Sequence, residues 1–391
     1  MPTFELFASH NLIQGTSTTH HHVFVTPTAK PSPLTECCNE WEKELEGDID
    51  KHFLLNGVKY GFKIIDQDVS EDPVFCRNYK SATDPIISKD VEKQILEEID
   101  NNRYIICNGP AKIVSSLGAL RKSSGGVRIL HDCSRPHGAN LNSYATTHKF
   151  KYQTVDSAME LLPRGGYMAK VDLSHAYRVA PIHPDCYAAT GLHWTFDGDT
   201  SPTYMIDCRL PFGASKSPEI FQRLSNSVTR FMKKRGYTVI AYLDDFLVIE
   251  ATEQRCSEAY NILLQLLEKL GFKNNWKKAV PPSQQITILG INICSVTRQL
   301  SLPQEKLEEV RILLDSWVYK KKATKPELLQ LVGKLNWAAR LVRGGRTFLR
   351  RLINIMCSLK RKHHRIRLTA SARADIKWWL DFMQVFNGTV C

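Results

Sequence analysis

Residues Ile240 to Ile249 read Ile-Ala-Tyr-Leu-Asp-Asp-Phe-Leu-Val-Ile, and they place two adjacent carboxylates inside an otherwise apolar run. The flanking β-branched, leucine and aromatic residues are typical of buried strands. Two ionised groups are costly in such a run unless positive charge meets them. We therefore predict a β-hairpin with Asp244 and Asp245 at its tip, where both side chains can converge on one spot. Such a tip is either a site for hard divalent cations or an ordinary solvated turn.

A second apolar strand also ends in a carboxylate. Residues 168–177 read Met-Ala-Lys-Val-Asp-Leu-Ser-His-Ala-Tyr, and Asp172 lies about seventy residues before the Asp-Asp pair. Considered alone, Asp172 is best explained as a cap for the turn that follows it. Combined with the pair, it completes the carboxylate set of a two-metal phosphoryl-transfer site, in which the ions lie roughly 3.5–4 Å apart.

A loop and a helix are predicted between these two strands. Residues 210–222 read Leu-Pro-Phe-Gly-Ala-Ser-Lys-Ser-Pro-Glu-Ile-Phe-Gln, with Ser217 suited to cap a helix and Pro218 suited to its first position. One apolar face of this helix is marked by Phe221, Leu224, Val228 and Phe231.

In this order and spacing, Asp172 with Tyr177, the Leu-Pro-Phe-Gly loop and the Tyr-Leu-Asp-Asp run resemble the palm of reverse transcriptases. The resemblance extends from about residue 72 to about residue 360. Its details are most similar to retrotransposons of the tyrosine-recombinase (DIRS-like) type, which are related to retroviral reverse transcriptases. The segments that carry this finer similarity are Arg128–Ser134, Pro181–Asp185 and Thr369–Phe386.

The mixture of strands and helices predicts an α+β fold in which helices back a sheet. The resemblance implies a right-hand polymerase whose antiparallel palm sheet carries the Tyr-Leu-Asp-Asp hairpin. It divides the chain into a flexible N-terminal arm (1–35), an N-terminal extension (36–71), fingers and palm (72–300), a thumb (301–365) and a connector (366–391) toward an RNase H domain. Because no carboxylate cluster follows in this sequence, we expect no RNase H activity from it.

The resemblance also implies residue roles. Catalysis would rest on the three aspartates, and two Mg²⁺ ions, with Mn²⁺ as an alternative, would be held by Asp172, Leu173, Asp244 and Asp245. The incoming nucleotide would be bound by Lys122, Arg128, Tyr177, Phe212 and Lys278. Among these, Tyr177 would lie under the sugar, and Lys278 would donate a proton to pyrophosphate. The template and primer would be contacted by Tyr242, Leu289, Gly290, Gly333, Lys334, Asn336 and Trp337.

Several of these residues also have ordinary structural explanations. Lys122 fits a solvated basic hairpin, and Lys278 belongs to a surface lysine pair. Tyr177 and Trp337 are equally suited to a core, and Gly333 to a helix contact.

Positive charge is concentrated toward the C-terminus. The chain of 391 residues has a net charge of +12, and residues 320–365 contain fourteen Lys and Arg residues but one acid, Glu327. This asymmetry predicts a polyanionic partner for the thumb. Eleven cysteines without a Cys-x-x-Cys pair predict reduced thiols and an intracellular protein of the cytoplasm or nucleus. We expect neither a secretion signal nor a membrane span.

The predicted function is template-directed DNA synthesis from RNA, and also from DNA templates, using dNTPs and a primed strand. One alternative is a catalytically inactive nucleic-acid-binding relic of a retrotransposon. Another is an RNA-dependent RNA polymerase, against which Tyr177 and the thumb helix argue.

Overall fold

The computed structural model describes residues 26–122, 125–342, 344–361, 363–385 and 388–390. The ten cysteines within these ranges are all free thiols. No helix in the described part of the chain is both long enough and apolar enough to cross a membrane.

Three short helices begin the described chain: α1 (Pro33–Glu36), α2 (Cys38–Glu44) and α3 (Lys51–Tyr60). Leu34, Trp41 and Leu54 from these helices are fully buried. They share one core with residues of later strands and helices, among them Val171 and Phe221. Trp41 Nε1 also donates a hydrogen bond to Leu270 O, 2.9 Å away. The described part of the predicted flexible arm, residues 26–35, therefore differs from expectation, because Leu34 anchors it in the core.

The next elements, in chain order, are β1 (Val74–Phe75), α4 (Lys80–Thr83), α5 (Ser88–Asp100), β2 (Tyr104–Cys107), β3 (Ile113–Val114), β4 (Ser116–Arg121), β5 (Val127–Asp132), α6 (Val155–Leu161), β6 (Tyr167–Ser174), β7 (Gly191–Trp194) and β8 (Thr203–Asp207). Five of these strands form a sheet in the order β1-β3-β7-β8-β2, and β4 pairs with β5 as a separate antiparallel hairpin. Val91, Ile95 and Leu117 belong to a core cluster of this region alone. All of these elements lie within residues 72–300, which were predicted to form the fingers and palm together.

The central part of the chain continues with α7 (Ser217–Lys234), β9 (Thr238–Tyr242), β10 (Asp245–Glu250), α8 (Glu253–Lys269), β11 (Lys273–Asn274) and β12 (Val280–Ser283). The palm sheet has the order β11-β6-β10-β9, with β12 also on β6, and every pairing is antiparallel. Phe246 and Val248 of β10 pack with α7 and α8, whereas Leu247 and Ile249 belong to a second core on the opposite face. The prediction of an antiparallel palm sheet backed by helices is therefore confirmed.

The C-terminal part consists of β13 (Gln285–Ile288), β14 (Ile291–Cys294), β15 (Gln299–Ser301), α9 (Gln304–Val318), β16 (Lys322–Thr324), α10 (Lys325–Ala338), α11 (Arg350–Ser358), β17 (Arg365–Arg367), α12 (Ala370–Val385) and β18 (Thr389–Val390). Strands β13, β14, β15 and β18 form one sheet, and β16 pairs with β17. Helix α12, which lies in the predicted connector, buries Trp379 in the same core as α9 and α10. Short 3-10 helices occur at Leu141–Tyr144, Ala176–Val179, Pro184–Ala189 and Gly345–Leu349.

Candidate active site

The hairpin that carries the adjacent carboxylates turns one residue earlier than predicted. Tyr242 pairs with Asp245 across the hairpin, so the turn consists of Leu243 and Asp244, and Asp245 is the first residue of β10. Leu243 has a φ of 52°, a left-handed conformation that is uncommon for a residue other than glycine. The prediction of both aspartates at the tip is thus corrected, because only Asp244 occupies it.

Helix α7 holds this turn in place. Gln222 Oε1 accepts a hydrogen bond from Leu243 N at 2.8 Å, and its Nε2 donates to Ala241 O at 3.1 Å. Ser225 Oγ donates to Leu243 O at 2.6 Å. These bonds satisfy the polar groups of a strained turn, and they explain how leucine is kept in the left-handed region. Gln222 and Ser225 of α7 therefore fix the conformation of the hairpin turn.

Asp172 and Asp245 face each other on neighbouring strands. They are direct partners in the antiparallel pairing of β6 with β10, so their side chains lie on the same face of the sheet. Asp172 is only 4% exposed, and its Oδ1 accepts a hydrogen bond from Asn275 Nδ2 at 2.9 Å. Its Oδ2 lies 3.1 Å from Lys278 Nζ. Lys278, predicted as a pyrophosphate proton donor, is therefore located at the carboxylate cluster itself.

A lysine that sequence reasoning missed lies beside the third carboxylate. Lys170 Nζ is 2.8 Å from Asp245 Oδ1, and both side chains are largely buried. The alternation of side chains along β6 was the available signal, because Lys170 is two residues from Asp172 and must share its face.

Asp244 experiences a strongly negative environment. Burial raises the pKa of its carboxyl, and the charges of Asp245 and then Asp172 raise it further. Lys278 acts in the opposite direction. The neighbouring carboxylates therefore disfavour a negative charge on Asp244, and a bound cation would relieve this repulsion.

The cluster fits divalent cations that are completed by a substrate. Among the described residues, no three Asp, Glu, His or Cys side chains converge as a ready-made metal cage. Mg²⁺ commonly takes one or two carboxylates together with water and substrate phosphates, so a complete protein cage is not required. Leu173, predicted among the metal ligands, buries its side chain in the core, and its N–H donates to Asp244 O at 3.1 Å. That bond ties the two aspartate-bearing elements together.

A pocket of about 610 Å³ brings together three of the predicted nucleotide-binding residues. The Tyr177 and Phe212 rings are stacked with centroids 5.3 Å apart, and the Arg128 guanidinium lies 6.0 Å from the Phe212 centroid. Gly213 also lines this pocket. A Cβ at this position would lie 2.1 Å from His131 O, so the close backbone approach requires glycine. Lys122 is exposed at the end of β4 and does not line this pocket.

The element that carries Tyr177 is fixed by a buried ion-pair network. Arg178, the next residue, is 5% exposed and lies 2.8 Å from both Glu98 Oε2 and Asp207 Oδ2. Burial lowers the tendency of Arg178 to be charged, but Asp207 and Glu98 raise its pKa well above the usual value. This network connects α5, β8 and the 3-10 helix at Ala176–Val179, and sequence reasoning did not detect it.

The predicted primer-side residues form a continuous surface. Tyr242 packs against Tyr152, with ring centroids 4.7 Å apart, close to the carboxylate hairpin. Leu289 and Gly290 form the turn between β13 and β14, with φ values of 50° and 77°. A Cβ on Gly290 would lie 3.1 Å from Trp337 Cζ2, so this turn lies directly against the indole of α10.

The remaining predicted thumb residues differ in their surroundings. Gly333 and Asn336 are exposed, and the space around Gly333 is open, which permits close approach of another molecule. Lys334 instead lies 3.1 Å from Glu309 Oε2 on α9. The predicted contact of Lys334 with template and primer would therefore have to compete with this ion pair, in which Glu309 is also shared with Lys306.

Unpaired cations are found on the β16–β17 ribbon. Lys322 pairs in register with Arg367, and Thr324 pairs with Arg365, so these side chains share one face. The three cations are exposed, and none of them forms an ion pair with a described residue. The ribbon is therefore an available surface for a polyanion.

Residues 127–293 match the sequence profile of the family described as reverse transcriptase (RNA-dependent DNA polymerase). The Gag-Pol polyprotein of avian reticuloendotheliosis virus is 28% identical over 133 residues, which is 34% of this chain and 12% of that protein. The Gag-Pol polyprotein of koala retrovirus is 28% identical over 167 residues, which is 41% of this chain and 10% of that protein. This chain thus matches about a tenth of the length of these relatives.

Solved structures show the same fold over most of the chain. The foamy viral protease-reverse transcriptase in complex with double-stranded DNA superposes with a TM-score of 0.63 and 16% identity, covering 94% of this chain and 62% of that one. The same viral protein in complex with an RNA/DNA hybrid gives a TM-score of 0.64 and 16% identity, covering 94% and 48%. Residues 127–293 therefore form a reverse transcriptase domain, and the chain around it has the polymerase fold of reverse transcriptases.

Proposed function

We propose that this chain is an RNA-directed DNA polymerase that extends a primer on an RNA template, and also on a DNA template, by two-metal nucleotidyl transfer. The observation that carries this proposal is the direct pairing of Asp172 with Asp245 on adjacent palm strands, with Asp244 in the connecting turn. Three carboxylates whose mutual repulsion is incompletely neutralised are suited to hold the cations of phosphoryl transfer.

Each part of the site contributes a separate task. Bound Mg²⁺, held by Asp172 and Asp244 with Asp245 beside them, would activate the primer hydroxyl and neutralise the triphosphate charge. Arg128 adds a donor for phosphate oxygens at the pocket, and its guanidinium is suited to bidentate contacts. Tyr177 and Phe212 form the apolar floor on which the sugar would lie.

The template–primer is proposed to lie along the hairpin, the Gly290 turn and the thumb. The foamy viral structures contain double-stranded DNA or an RNA/DNA hybrid, which supports the same class of partner here. The exposed cations of the β16–β17 ribbon supply sequence-independent attraction to phosphates. Because pairing with the template selects each nucleotide, the protein needs to recognise only duplex shape and backbone.

We also propose that the chain derives from a retroelement of the tyrosine-recombinase (DIRS-like) type and acts in the cytoplasm or nucleus. The segments Arg128–Ser134 and Pro181–Asp185 support this subtype. Sequencing the transcript that encodes this chain tests it. A tyrosine recombinase in the same element is the expected result, and a retroviral-type integrase would contradict it.

Primer extension tests the polymerase proposal. The purified chain should extend a DNA primer on homopolymer RNA with Mg²⁺ and dNTPs, and it should use rNTPs poorly. Asp172→Asn or Asp244→Asn should lower the rate about a thousandfold, or roughly 4 kcal/mol, while leaving template–primer affinity nearly unchanged.

Other outcomes identify the alternatives. Efficient rNTP use would indicate an RNA polymerase, and tight template–primer binding without any extension would indicate an inactive relic. Near-normal extension by Asp244→Asn would show that the carboxylate assignment is wrong.

A further inference from the structure

The loop that follows β11 is attached to the catalytic strand through its main chain. Strand β11 pairs with the end of β6, and Asn275 N then donates to Asp172 O at 2.8 Å. The N–H groups of Lys278 and Ala279 both donate to Asn275 O, at 3.0 and 3.1 Å. The position of Asn275 therefore does not depend on its side chain.

The side chain of Asn275 is directed at a carboxylate oxygen. Its Nδ2 donates to Asp172 Oδ1 at 2.9 Å. An ionised carboxylate can only accept hydrogen bonds, so the NH₂ end of the amide must face it. Each carboxylate oxygen can accept more than one partner, and Oδ1 can thus keep this bond while it contacts a cation.

Asn275 and Lys278 differ in their relation to a metal ion. Lys278 carries a positive charge, competes with a cation for Asp172, and has a side chain that is 62% exposed and free to move away. Asn275 is neutral, and it does not oppose a cation. Asn275 can therefore keep its hydrogen bond to Asp172 when a metal ion is bound, whereas Lys278 would have to move away.

We propose that Asn275 is a positioning residue that orients the Asp172 carboxylate for divalent cation binding. This inference rests on the proposed function, because it assumes that Asp172 is a metal ligand. Hydrogen-bonding partners of metal ligands typically contribute 10- to 100-fold to metal affinity or activity. We accordingly expect loss of the Asn275 amide to weaken cation binding about tenfold or more.

The neighbouring asparagine provides a matched control. Asn274 Nδ2 donates to Leu264 O at 3.4 Å and to Glu268 Oε1 at 3.3 Å, both on α8. Its side chain is therefore turned away from Asp172 and holds the loop to a helix. A substitution at Asn274 should lower thermal stability without a specific effect on the metal site.

The experiment measures Mn²⁺ binding by electron paramagnetic resonance, using the full chain with a dideoxy-terminated template–primer and the next complementary dNTP. The variants are Asn275→Ala, Asn275→Leu, Asn275→Gln, Asn274→Ala and Asp172→Asn, and each is also melted without metal. Asn275→Ala and Asn275→Leu should bind Mn²⁺ about tenfold more weakly at an unchanged melting temperature. Asn275→Gln, which keeps an amide donor, should remain within about threefold of the original affinity.

The outcomes separate the two proposals. Unchanged Mn²⁺ affinity in Asn275→Ala and Asn275→Leu, together with lost binding in Asp172→Asn, would overturn the positioning role alone. If Asn275→Ala and Asn275→Leu both melt at a temperature as low as that of Asn274→Ala, Asn275 has a structural role. This result would also overturn the positioning role. Equal Mn²⁺ binding by Asp172→Asn and the unsubstituted chain would overturn the proposed metal site.

Discussion

Lys278 Nζ lies 3.1 Å from Oδ2 of Asp172, so a positive charge of the protein contacts a carboxylate that we propose as a metal ligand. The lysine side chain is largely exposed, whereas the carboxylate is buried. An exposed ammonium on a flexible stem can leave without disturbing the core. The ion pair can therefore break without moving Asp172, whose position is set by the pairing of β6 with β10.

Removal of this lysine should have opposite effects on metal binding and on catalysis. In Lys278→Met, we expect Mn²⁺ to bind up to about fivefold more tightly, since an ion pair formed by an exposed lysine contributes about 1 kcal/mol. The rate of nucleotide incorporation should fall at least about tenfold if Lys278 also protonates pyrophosphate. Mn²⁺ titration and single-turnover extension measure the two quantities. Weaker Mn²⁺ binding in Lys278→Met would contradict the competition between lysine and metal.

The ring of Tyr177 should select the sugar of the incoming nucleotide. It is half-buried between Phe212 and Phe221, with centroids 5.3 and 5.2 Å away. Tyr177→Ala would open space for a 2′-hydroxyl, and the ratio of dNTP to rNTP incorporation should fall about tenfold or more. Tyr177→Phe keeps the ring and should keep the ratio. Equal losses on both substrates in Tyr177→Ala would indicate a purely structural tyrosine.

Trp337 and Lys334 should affect template–primer binding in different ways. Trp337→Ala removes the indole that packs on Gly290, so products of a single binding event should become shorter with little change in salt dependence. Lys334→Ala should lower the slope of log K against log[salt] by at most about one unit, since Glu309 already neutralises this lysine. Glu309→Gln should steepen the slope by freeing Lys334. If neither Trp337→Ala nor Glu309→Gln alters binding or product length, this helix does not contact the duplex.

Asp207 should make the fold sensitive to acid. Burial favours a raised pKa for Asp207, but Arg178 and then His131 bring its pKa below the usual value. Because the pKa of Asp207 is lower in the folded chain than in the unfolded chain, its ionised carboxylate stabilises the fold at pH values above the unfolded pKa of 3.8. This stabilisation is lost as the pH falls through the pKa that Asp207 has in the folded chain. Glu98, which also contacts Arg178, belongs to the same network.

Chemical unfolding at a series of pH values tests this dependence. Asp207→Asn should cost about 3–5 kcal/mol near pH 7, because it leaves Arg178 with incomplete compensation. Its unfolding free energy should also vary less with pH below about 4 than that of the unsubstituted chain. Asp199→Asn, at an exposed position, is the control. A pH profile of Asp207→Asn parallel to the unsubstituted chain would contradict the assignment.

The local sequence predicts the strands that carry the three aspartates and the helix between them. Apolar runs on both sides of Asp244 and Asp245 predict two strands, and the run before Asp172 predicts a third, because strand periodicity and β-branched composition are local properties. The Ser-Pro signal predicts Ser217 as the cap of α7 and Pro218 as its first residue, whereas the helix begins one residue earlier, at Ser217, with Lys216 at the cap position. Residues that line the nucleotide pocket were identified through resemblance, since they lie on three separate elements.

Contacts between distant residues were decided by tertiary structure. The pairing of Asp172 with Asp245 depends on strand register, and the turn at Leu243 depends on Gln222 of a different element. Lys170 and Asn275 reach the carboxylates only after β6, β10 and β11 are aligned.

The sequence by itself determined which residues could carry charge, form strands and bind a cation, because these properties belong to each side chain and its neighbours along the chain. Only the tertiary structure decided which cation faces which carboxylate. Lys278 is 106 residues from Asp172, and Asn275 is 103 residues from it. Such contacts arise from the packing and register of whole elements, which no short stretch of sequence specifies.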